Sequence, residues 1–176
     1  ILMTVFAGLI VLTIPKQVSA RDFGKPQYAD TTGKIVSYRS IKRGKIIINT
    51  RKRRLYYGVG NGKAIRYSVG VGRRGRQWTV TRRIVSKRRK PAWSPTKEIL
   101  RDKPNITKVI PGGSPKNPMG AAALLLSGSG QYAIHGTNNP GSIGRFVSYG
   151  CIRMHNKDIM DLYSKVGYGT EVKVIN

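Results

Sequence analysis

Alternation of apolar and polar residues runs through much of the chain and predicts a fold built mainly from β-strands. Residues 45–50 and 54–59 are predicted strands. Asn61-Gly62 follows them and predicts a tight hairpin, because both residues accept a positive φ. Apolar residues recur at every second position over 65–71, so the returning strand has one apolar face. We expect an antiparallel sheet in this part of the chain.

The rest of the chain predicts further strands that are separated by segments rich in glycine and proline. These strands cover 77–85, 121–127, 131–134 and 171–175. No internal repeat and no second domain are evident. We therefore expect one mainly β domain over residues 35–176, with a few short helices.

Two short helices are predicted between the strands. Ser94 and Pro95 fit the cap and the first position of a helix that reaches Arg101. Asn156 fits the cap of a second helix, which ends before Gly167 and has an apolar face at helical spacing. That face consists of Ile159, Met160, Leu162, Tyr163 and Val166.

The first 20 residues predict export from the cytoplasm. Residues 1–15 are almost wholly apolar, which is short for a membrane span of about 20 residues. Val18-Ser19-Ala20 then supplies the small residues of a cleavage site, so residues 1–20 are predicted to be a signal peptide or, alternatively, a membrane anchor. Residues 21–34 are predicted to be a linker. Either form places the domain in the periplasm or cell envelope.

The charge of the chain predicts attraction to polyanions. Lys and Arg number 33 against 7 Asp and Glu, which gives a formal net charge of +26. The cations are spread along the chain, and no nucleic-acid-binding module is recognisable. We therefore predict anionic envelope polymers as partners and no binding to a specific nucleic acid. Gly70–Gly75 matches the G-x-G-x-x-G pattern of dinucleotide-binding sites. Such a site needs a helix next and an acidic residue about 20 positions on, whereas here a strand pattern follows and no acidic residue lies between Gly75 and Glu98. We predict no cofactor.

The candidate chemistry lies between residues 135 and 156. This stretch holds the only cysteine, Cys151, and both histidines, His135 and His155. A thiol attacks carbonyl carbon as its thiolate, which a neighbouring imidazole can generate. His135 lies at a predicted strand end, and the turns after it can bring it back to Cys151, so we favour it over His155 as the base. One cysteine and two histidines at this spacing match no zinc pattern, and no metal site is predicted.

Several motifs together resemble the L,D-transpeptidase catalytic domain family of bacterial cell-wall enzymes. The main ones are His135-Gly136-Thr137 and residues 148–154, Ser-Tyr-Gly-Cys-Ile-Arg-Met. Residues 54–57, 111–113 and 117–120 are also similar to that family. The resemblance covers roughly residues 45–175. It departs from the family at Tyr149, where many members carry histidine.

The resemblance implies a mainly β, sandwich- or barrel-like fold with a catalytic cleft. Cys151 would attack the peptide bond after the third residue of a peptidoglycan stem tetrapeptide and expel D-alanine. His135 would accept the thiol proton, with its ring held by the Gly136 carbonyl. The Cys151 N–H would stabilise the oxyanion, and Arg153 would bind a stem-peptide carboxylate. Ser148, Tyr149 and Gly150 would support the site.

Three functions remain open at this point. The first is an L,D-transpeptidase that joins the acyl group to a second stem peptide, in a 3→3 cross-link, or to an envelope protein. The second keeps the same site but transfers the acyl group to water, as an L,D-carboxypeptidase. The third is a non-catalytic envelope protein that binds polyanions through its charge.

Overall fold

The computed structural model describes residues 33–106, 109–128 and 131–176. Within these residues the chain forms eleven strands and two α-helices in the order given below. The strands are β1 Lys34–Ser37, β2 Ile46–Asn49, β3 Arg54–Gly60, β4 Lys63–Ser68, β5 Val71–Gly72, β6 Thr81–Arg89, β7 Ala122–Leu126, β8 Ala133–His135, β9 Phe146–Ser148, β10 Ile152–Arg153 and β11 Glu171–Ile175. The helices are α1 Lys97–Asp102, between β6 and β7, and α2 Asn156–Lys165, between β10 and β11.

The strands form one large mixed sheet and one small pair. The large sheet has the order β1-β4-β3-β2-β11-β6-β7-β8-β10, and β5 pairs with β9. The predicted mainly β class is confirmed, but the sheet is not purely antiparallel, because β11 runs parallel to β2 and β10 runs parallel to β8. The parallel pairs join strands that are distant in sequence, so local alternation carries no signal for them.

Strand β6 is shared by the two halves of the large sheet. Its first residues, Thr81–Arg83, pair with β11, whereas Ile84–Arg89 pair with β7. The register shifts between Ile84 and Ser86, and such an irregularity bends a strand. The basic run after residue 81 is therefore a bent strand. It is as long as the strand predicted over 77–85 but begins and ends four residues later.

The core lies between the two sheet halves and helix α2. Alternate residues of β2, Ile46 and Ile48, are fully buried, as are Leu124 of β7 and Ile134 of β8. Helix α2 adds Ile159 and Leu162, which come from the predicted apolar face, and the three-residue spacing keeps both on one side of the helix. This packing fixes β8 and the start of α2, which flank the candidate site.

Helix α1 starts later than the sequence predicts. It spans Lys97–Asp102, and its cap is Thr96, whose hydroxyl accepts a hydrogen bond from the Ile99 N–H. The prediction of Ser94 as cap with Pro95 at the first position is therefore wrong. Threonine caps a helix as serine does, and the sequence offered both residues within three positions.

Helix α2 also differs from the prediction at its start. It spans Asn156–Lys165, and the cap position belongs to His155. The prediction that Asn156 caps the helix is wrong, because its side chain is used in another contact, described below. The hairpin at Asn61-Gly62 is confirmed, with φ of 52° and 65° at its two residues.

The described domain begins one residue before the predicted boundary at residue 35. Lys34, predicted as the last linker residue, is the first residue of β1 and pairs with Arg66. The predicted export signal or anchor over 1–20, and the linker up to residue 32, lie outside the described residues. Within the part of the chain that is described, no helix is long and apolar enough to cross a membrane.

Candidate active site

The parallel pairing of β8 and β10 brings the candidate residues together. Arg153 is the register partner of His135, and Ile152 is the partner of Ile134. Ile134 and Ile152 point into the core, where both are almost fully buried. Since side chains alternate along a strand, Cys151, Arg153 and His135 share the opposite face.

Register and strand geometry set the spacing of the thiol and the imidazole. A strand spacing of about 4.8 Å and a rise of about 3.3 Å per residue put the Cα atoms of Cys151 and His135 about 8 Å apart on that face. The Cys151 Sγ lies 3.6 Å from the carbonyl oxygen of Gln131. No hydrogen bond joins this sulfur to His135 within the described residues. Such contacts are often loose in a free enzyme and tighten when substrate binds.

The ring of His135 is held by backbone. Its Nδ1 lies 2.6 Å from the carbonyl oxygen of Gly136, which is the contact that the family resemblance implies. Burial lowers the pKa of His135 to about 4, and the Arg153 charge adds to this, while the Gly136 and Pro118 carbonyls oppose it. The Gly136 contact and the low pKa together favour a neutral ring that carries its proton on Nδ1 and leaves Nε2 as a base.

Cys151 and Arg153 are both partly desolvated. Burial raises the pKa of the Cys151 thiol, although the backbone of Ala133 and the charge of Arg153 pull it down. Burial also lowers the pKa of the Arg153 guanidinium. Its Nε is buried and has no hydrogen-bond partner within the described residues. A buried donor without an acceptor is costly. The Arg153 side chain also lines the cleft around Cys151, where its charge favours an acidic ligand.

The turn that carries Cys151 is held by Ser148 and requires glycine at position 150. The Ser148 hydroxyl accepts a hydrogen bond from the Gly150 N–H at 3.1 Å and donates one to the Cys151 carbonyl at 2.5 Å. Gly150 has a φ of 120°, and a Cβ there would lie 2.4 Å from the ring of Tyr132. The supporting roles assigned to Ser148 and Gly150 thus have a geometric basis.

Tyr149 contacts Arg73 and Asp102, the last residue of helix α1. The guanidinium of Arg73 packs over its ring, 4.2 Å from the centroid, and Arg73 also pairs with Asp102 of α1. Hydrogen bonds from Arg73 and from Tyr149 hold the pKa of Asp102 below its usual range. The tyrosine that replaces the family's usual histidine therefore links the cysteine turn to α1.

His155 occupies a different place from His135. It is the cap residue of α2, and burial lowers its pKa. It is not among the residues that line the cleft around Cys151. Of the two histidines, the structure brings only His135 onto the face that carries Cys151.

Two asparagines position the loops around His135 through contacts that local sequence does not predict. The Asn156 Oδ1 accepts hydrogen bonds from the N–H groups of Ala121 and Thr137, and its Nδ2 donates to the Thr137 carbonyl. Asn117 is 1% exposed. Its Nδ2 donates a hydrogen bond to the Pro91 carbonyl, and its Oδ1 accepts one from the Met119 N–H, both at 2.8 Å. An N-P pair in a glycine-rich segment predicts only a turn.

A cleft of about 1170 Å³ opens over these residues. Cys151, His135 and Arg153 line it together with Ser148 and Tyr149. Its far wall is formed by helix α1 and the segment that follows it. The other cations along the wall are Arg82, Lys97, Lys103 and Lys116, so the cleft favours an anionic ligand. Within the described residues, no group of three or more His, Cys, Asp and Glu is placed to hold a metal ion.

Comparison with known proteins identifies the family. The profile of the YkuD L,D-transpeptidase catalytic domain matches residues 43–174, and the chain belongs to this family. It is 38% identical over 139 residues to the "Probable L,D-transpeptidase YbiS" of Escherichia coli K12, a match that covers 74% of this chain. The match covers 44% of that relative, so the chain spans less than half of its length.

Solved structures support the fold. An L,D-transpeptidase from Mycobacterium smegmatis superposes with a TM-score of 0.58 at 16% identity, over 74% of this chain and 58% of that one. A Brucella melitensis protein described as a "Probable carnitine operon oxidoreductase caia" is 37% identical, covers 86% of this chain and 96% of its own, and has a TM-score of 0.55. Its description differs, whereas the family profile and the curated relatives agree on L,D-transpeptidase.

Proposed function

We propose that this chain is a cysteine-dependent L,D-transpeptidase that acts on peptidoglycan stem peptides. One observation carries the proposal: Cys151, His135 and Arg153 share one face of the β8–β10 pair at the base of a cleft. Family membership supports the reaction class. It supports an acyl transfer without fixing the nucleophile, the acceptor or the cross-link.

In the proposed reaction, the Cys151 sulfur attacks the carbonyl carbon of the peptide bond between the third and fourth stem residues. Nε2 of His135 takes the thiol proton as the C–S bond forms. The tetrahedral oxyanion is stabilised by the Cys151 N–H. The C–N bond then breaks, the proton passes to the amine, and D-alanine leaves. An acceptor amine finally attacks the thioester carbonyl and gives a proton to Nε2 of His135. The new C–N bond forms as the C–S bond breaks, and His135 returns the proton to the Cys151 sulfur.

The pKa shifts of Cys151 and His135 favour transfer of the thiol proton while the sulfur attacks the substrate, and they disfavour a thiolate that forms before substrate binds. Burial raises the pKa of Cys151, and it lowers that of His135 to about 4. At neutral pH both groups are therefore neutral in the free protein, and His135 acts as a general base. We expect kcat/KM to fall only as the pH drops toward the pKa of His135, because the protonated ring accepts no proton.

Arg153 is the proposed carboxylate anchor. Its backbone is held on two sides, since Gly70 exchanges two backbone hydrogen bonds with it and the Met154 N–H donates to the His135 carbonyl. Its side chain lines the cleft around Cys151, where an acid of the stem peptide can meet the guanidinium. A carboxylate bound there would form a charge-assisted, bidentate pair.

The same site could release the acyl group to water, which would make the protein an L,D-carboxypeptidase. Purified protein would be incubated with a stem tetrapeptide, with and without excess acceptor amine, and the products read by mass spectrometry. The transpeptidase predicts a 3→3 cross-linked product that grows with acceptor concentration. If tripeptide is the only product at every acceptor concentration, the protein is the L,D-carboxypeptidase. If no D-alanine is released, both the transpeptidase and the carboxypeptidase are rejected.

We also propose that the basic surface holds the protein to anionic envelope polymers. Four of the five described carboxylates are in ion pairs, and the fifth, Asp158, is buried. Three exposed cations lie on one face of the large sheet, because strand register places them in one row across β1, β4, β3, β2 and β11. They are Lys34, Arg66 and Lys173. Little negative charge is left to neutralise them, so an external polyanion can.

Polyphosphate binding across a salt series tests the basic face. Changing Lys34, Arg66 and Lys173 to Gln should weaken binding and flatten its salt dependence. A control with Lys52, Lys90 and Lys157 changed to Gln removes the same charge elsewhere. Equal weakening in both variants would reject a defined face. A Cys151→Ala variant with full biological activity would favour the non-catalytic alternative.

The remaining proposals concern the setting of the domain. Residues 1–20 would export or anchor the chain, residues 21–33 would connect it, and the domain that begins with β1 at Lys34 would act in the periplasm or cell envelope. An envelope protein is a second possible acceptor. Fractionation of cells that express the full-length protein, with and without residues 1–20, tests the location.

A further inference from the structure

The indole of Trp78 makes a polar contact with the turn that carries Cys151. Its Nε1 donates a hydrogen bond of 2.9 Å to the Gly150 carbonyl. Trp78 lies in the irregular segment between β5 and β6, 72 residues before Gly150 in sequence. Its ring stacks on Tyr132, with centroids 5.0 Å apart and planes inclined by 28°. The contact therefore joins two distant parts of the chain beside the proposed nucleophile.

The accepting carbonyl belongs to the same peptide group as the Cys151 N–H. A trans peptide group is planar, and its C=O and N–H point in opposite directions. Fixing the Gly150 carbonyl therefore fixes the direction of the Cys151 N–H. Within the described residues, this N–H donates to no backbone carbonyl and no side chain. It is available to a ligand oxygen, as an oxyanion donor must be.

The neighbouring peptide groups are held by a different residue. Ser148 bonds to the Gly150 N–H and to the Cys151 carbonyl, which belong to the peptide groups before and after this one. Within the described residues, the hydrogen bond from Trp78 is the one that holds the Gly150–Cys151 peptide group. The positive φ of Gly150 gives this turn a backbone that only glycine adopts readily, so an external restraint on its carbonyl matters.

The indole is itself held in place. Arg82 packs its guanidinium over both rings, 5.1 Å from the Trp78 centroid and 4.8 Å from that of Tyr132. Arg82 also donates a hydrogen bond to the Ser127 carbonyl. The contact of Tyr132 with Gly150 completes the enclosure. A donor that is fixed by stacking loses little further entropy when it orients a partner.

We infer that Trp78 is a positioning residue that aims the Cys151 N–H at the oxyanion of the acyl-transfer step. The inference rests on the proposed function of Cys151. Trp78 acts through the Gly150–Cys151 peptide group and does not react with substrate. Its loss should slow the step that builds negative charge on oxygen, while the thiol keeps its ionisation and its access to solvent.

Two reactions of the same thiol separate these effects. Alkylation of Cys151 by iodoacetamide forms a C–S bond, expels iodide and creates no oxyanion. Acylation by a stem tetrapeptide passes through an oxyanion. The variant Trp78→Phe keeps an aromatic ring against Tyr132 and removes the N–H donor. Tyr57→Phe is the matched control, because it removes an aromatic donor to another backbone carbonyl, that of Lys165 at 2.9 Å.

We expect single-turnover acylation of Trp78→Phe to slow by about 10- to 100-fold, somewhat less than the loss of an oxyanion donor itself. The tetrapeptide concentration at half-saturation should change less than about twofold, since Trp78 leaves ground-state binding intact. The alkylation rate and its pH profile should match the wild type. Tyr57→Phe should match the wild type in both reactions.

Other outcomes overturn the inference in distinguishable ways. An unchanged acylation rate in Trp78→Phe rejects it and leaves the proposed function standing. Equal losses in acylation and alkylation show a general structural role, which also rejects it. No acylation of the wild type rejects the proposed function and the inference together. If Trp78→Phe fails to fold, site-specific replacement of the indole by benzothiophene removes the N–H at constant ring size and gives the same test.

Discussion

Asp158 is a buried acid whose neutralisation should stabilise the protein at neutral pH. It lies in the first turn of α2, is 1% exposed, and its Oδ1 has no hydrogen-bond partner within the described residues. Burial raises its pKa from 3.8 to about 7, and the nearby charge of Asp161 adds to this. The perturbation is Asp158→Asn, which keeps the shape and removes the ionisation.

The sign and the limit of the effect follow from the pKa. The folded state binds a proton at Asp158 more tightly than the unfolded state, so this residue's contribution to the free energy of unfolding falls as pH rises from about 4 to about 7. One pKa unit corresponds to about 1.36 kcal/mol, which limits the loss to about 4 kcal/mol. Asp158→Asn should show no such loss. It should exceed the wild type in stability at pH 8 and approach it near pH 4.

Urea unfolding followed by tryptophan fluorescence between pH 4 and pH 8 measures the difference. At this chain length each kcal/mol corresponds to about 2–4 °C in Tm, which gives a second readout. Asp161→Asn is the control with the opposite sign. Burial raises the pKa of Asp161, but hydrogen bonds from Lys165 and Tyr67 outweigh this and leave it lowered, so Asp161→Asn should cost stability at pH 7 and lose its effect in acid. Equal stability of Asp158→Asn and wild type at pH 8 would refute the reasoning.

Two further predictions concern the ends of α2. Lys87→Met should lower the free energy of unfolding by about 1–3 kcal/mol, because Lys87 donates to the Tyr163 and Val166 carbonyls at the helix end. Urea unfolding measures this, and an effect no larger than that of the exposed neighbour in Arg88→Met would contradict it. Asn156→Ala and Asn156→Ser should both lower the free energy of unfolding by about 1–3 kcal/mol, measured by thermal unfolding. Neither side chain can bridge the N–H groups of Ala121 and Thr137. Full stability of the serine variant would instead restore the capping interpretation.

Much of the fold could be predicted from local patterns. Strands β2, β3, β7 and β11 agree with the predicted strands within a residue or two at each end, because alternation with a buried face is a local signal. The pairing of β11 with β2 could not be predicted this way, since it joins residues 126 positions apart. Local sequence does not decide whether Ser94 or Thr96 caps α1, because both hydroxyl residues precede the helix and helix ends are uncertain by one or two residues.

The site shows the same division. Cys151, His135 and Arg153 stand out by residue type and spacing, and the family motif adds to that signal. Trp78 carries no such signal, because its role comes from a single contact with a distant backbone carbonyl. Asn117 lies in a segment that resembles the family, but its hydrogen bond to the Pro91 carbonyl cannot be predicted from local sequence. Tryptophan at the end of a glycine-rich segment suggests only core packing. Tertiary contacts of this kind become visible once the structure is known.

The most direct test of the account is the intact mass of the protein after incubation with a stem tetrapeptide. The account predicts an adduct equal to the tetrapeptide without its D-alanine, located on Cys151 by peptide mapping and absent in Cys151→Ala. His135→Ala should abolish the adduct, while His155→Ala should retain most of it. No adduct on the wild type, or an adduct that survives Cys151→Ala, would contradict the assignment of Cys151 as nucleophile.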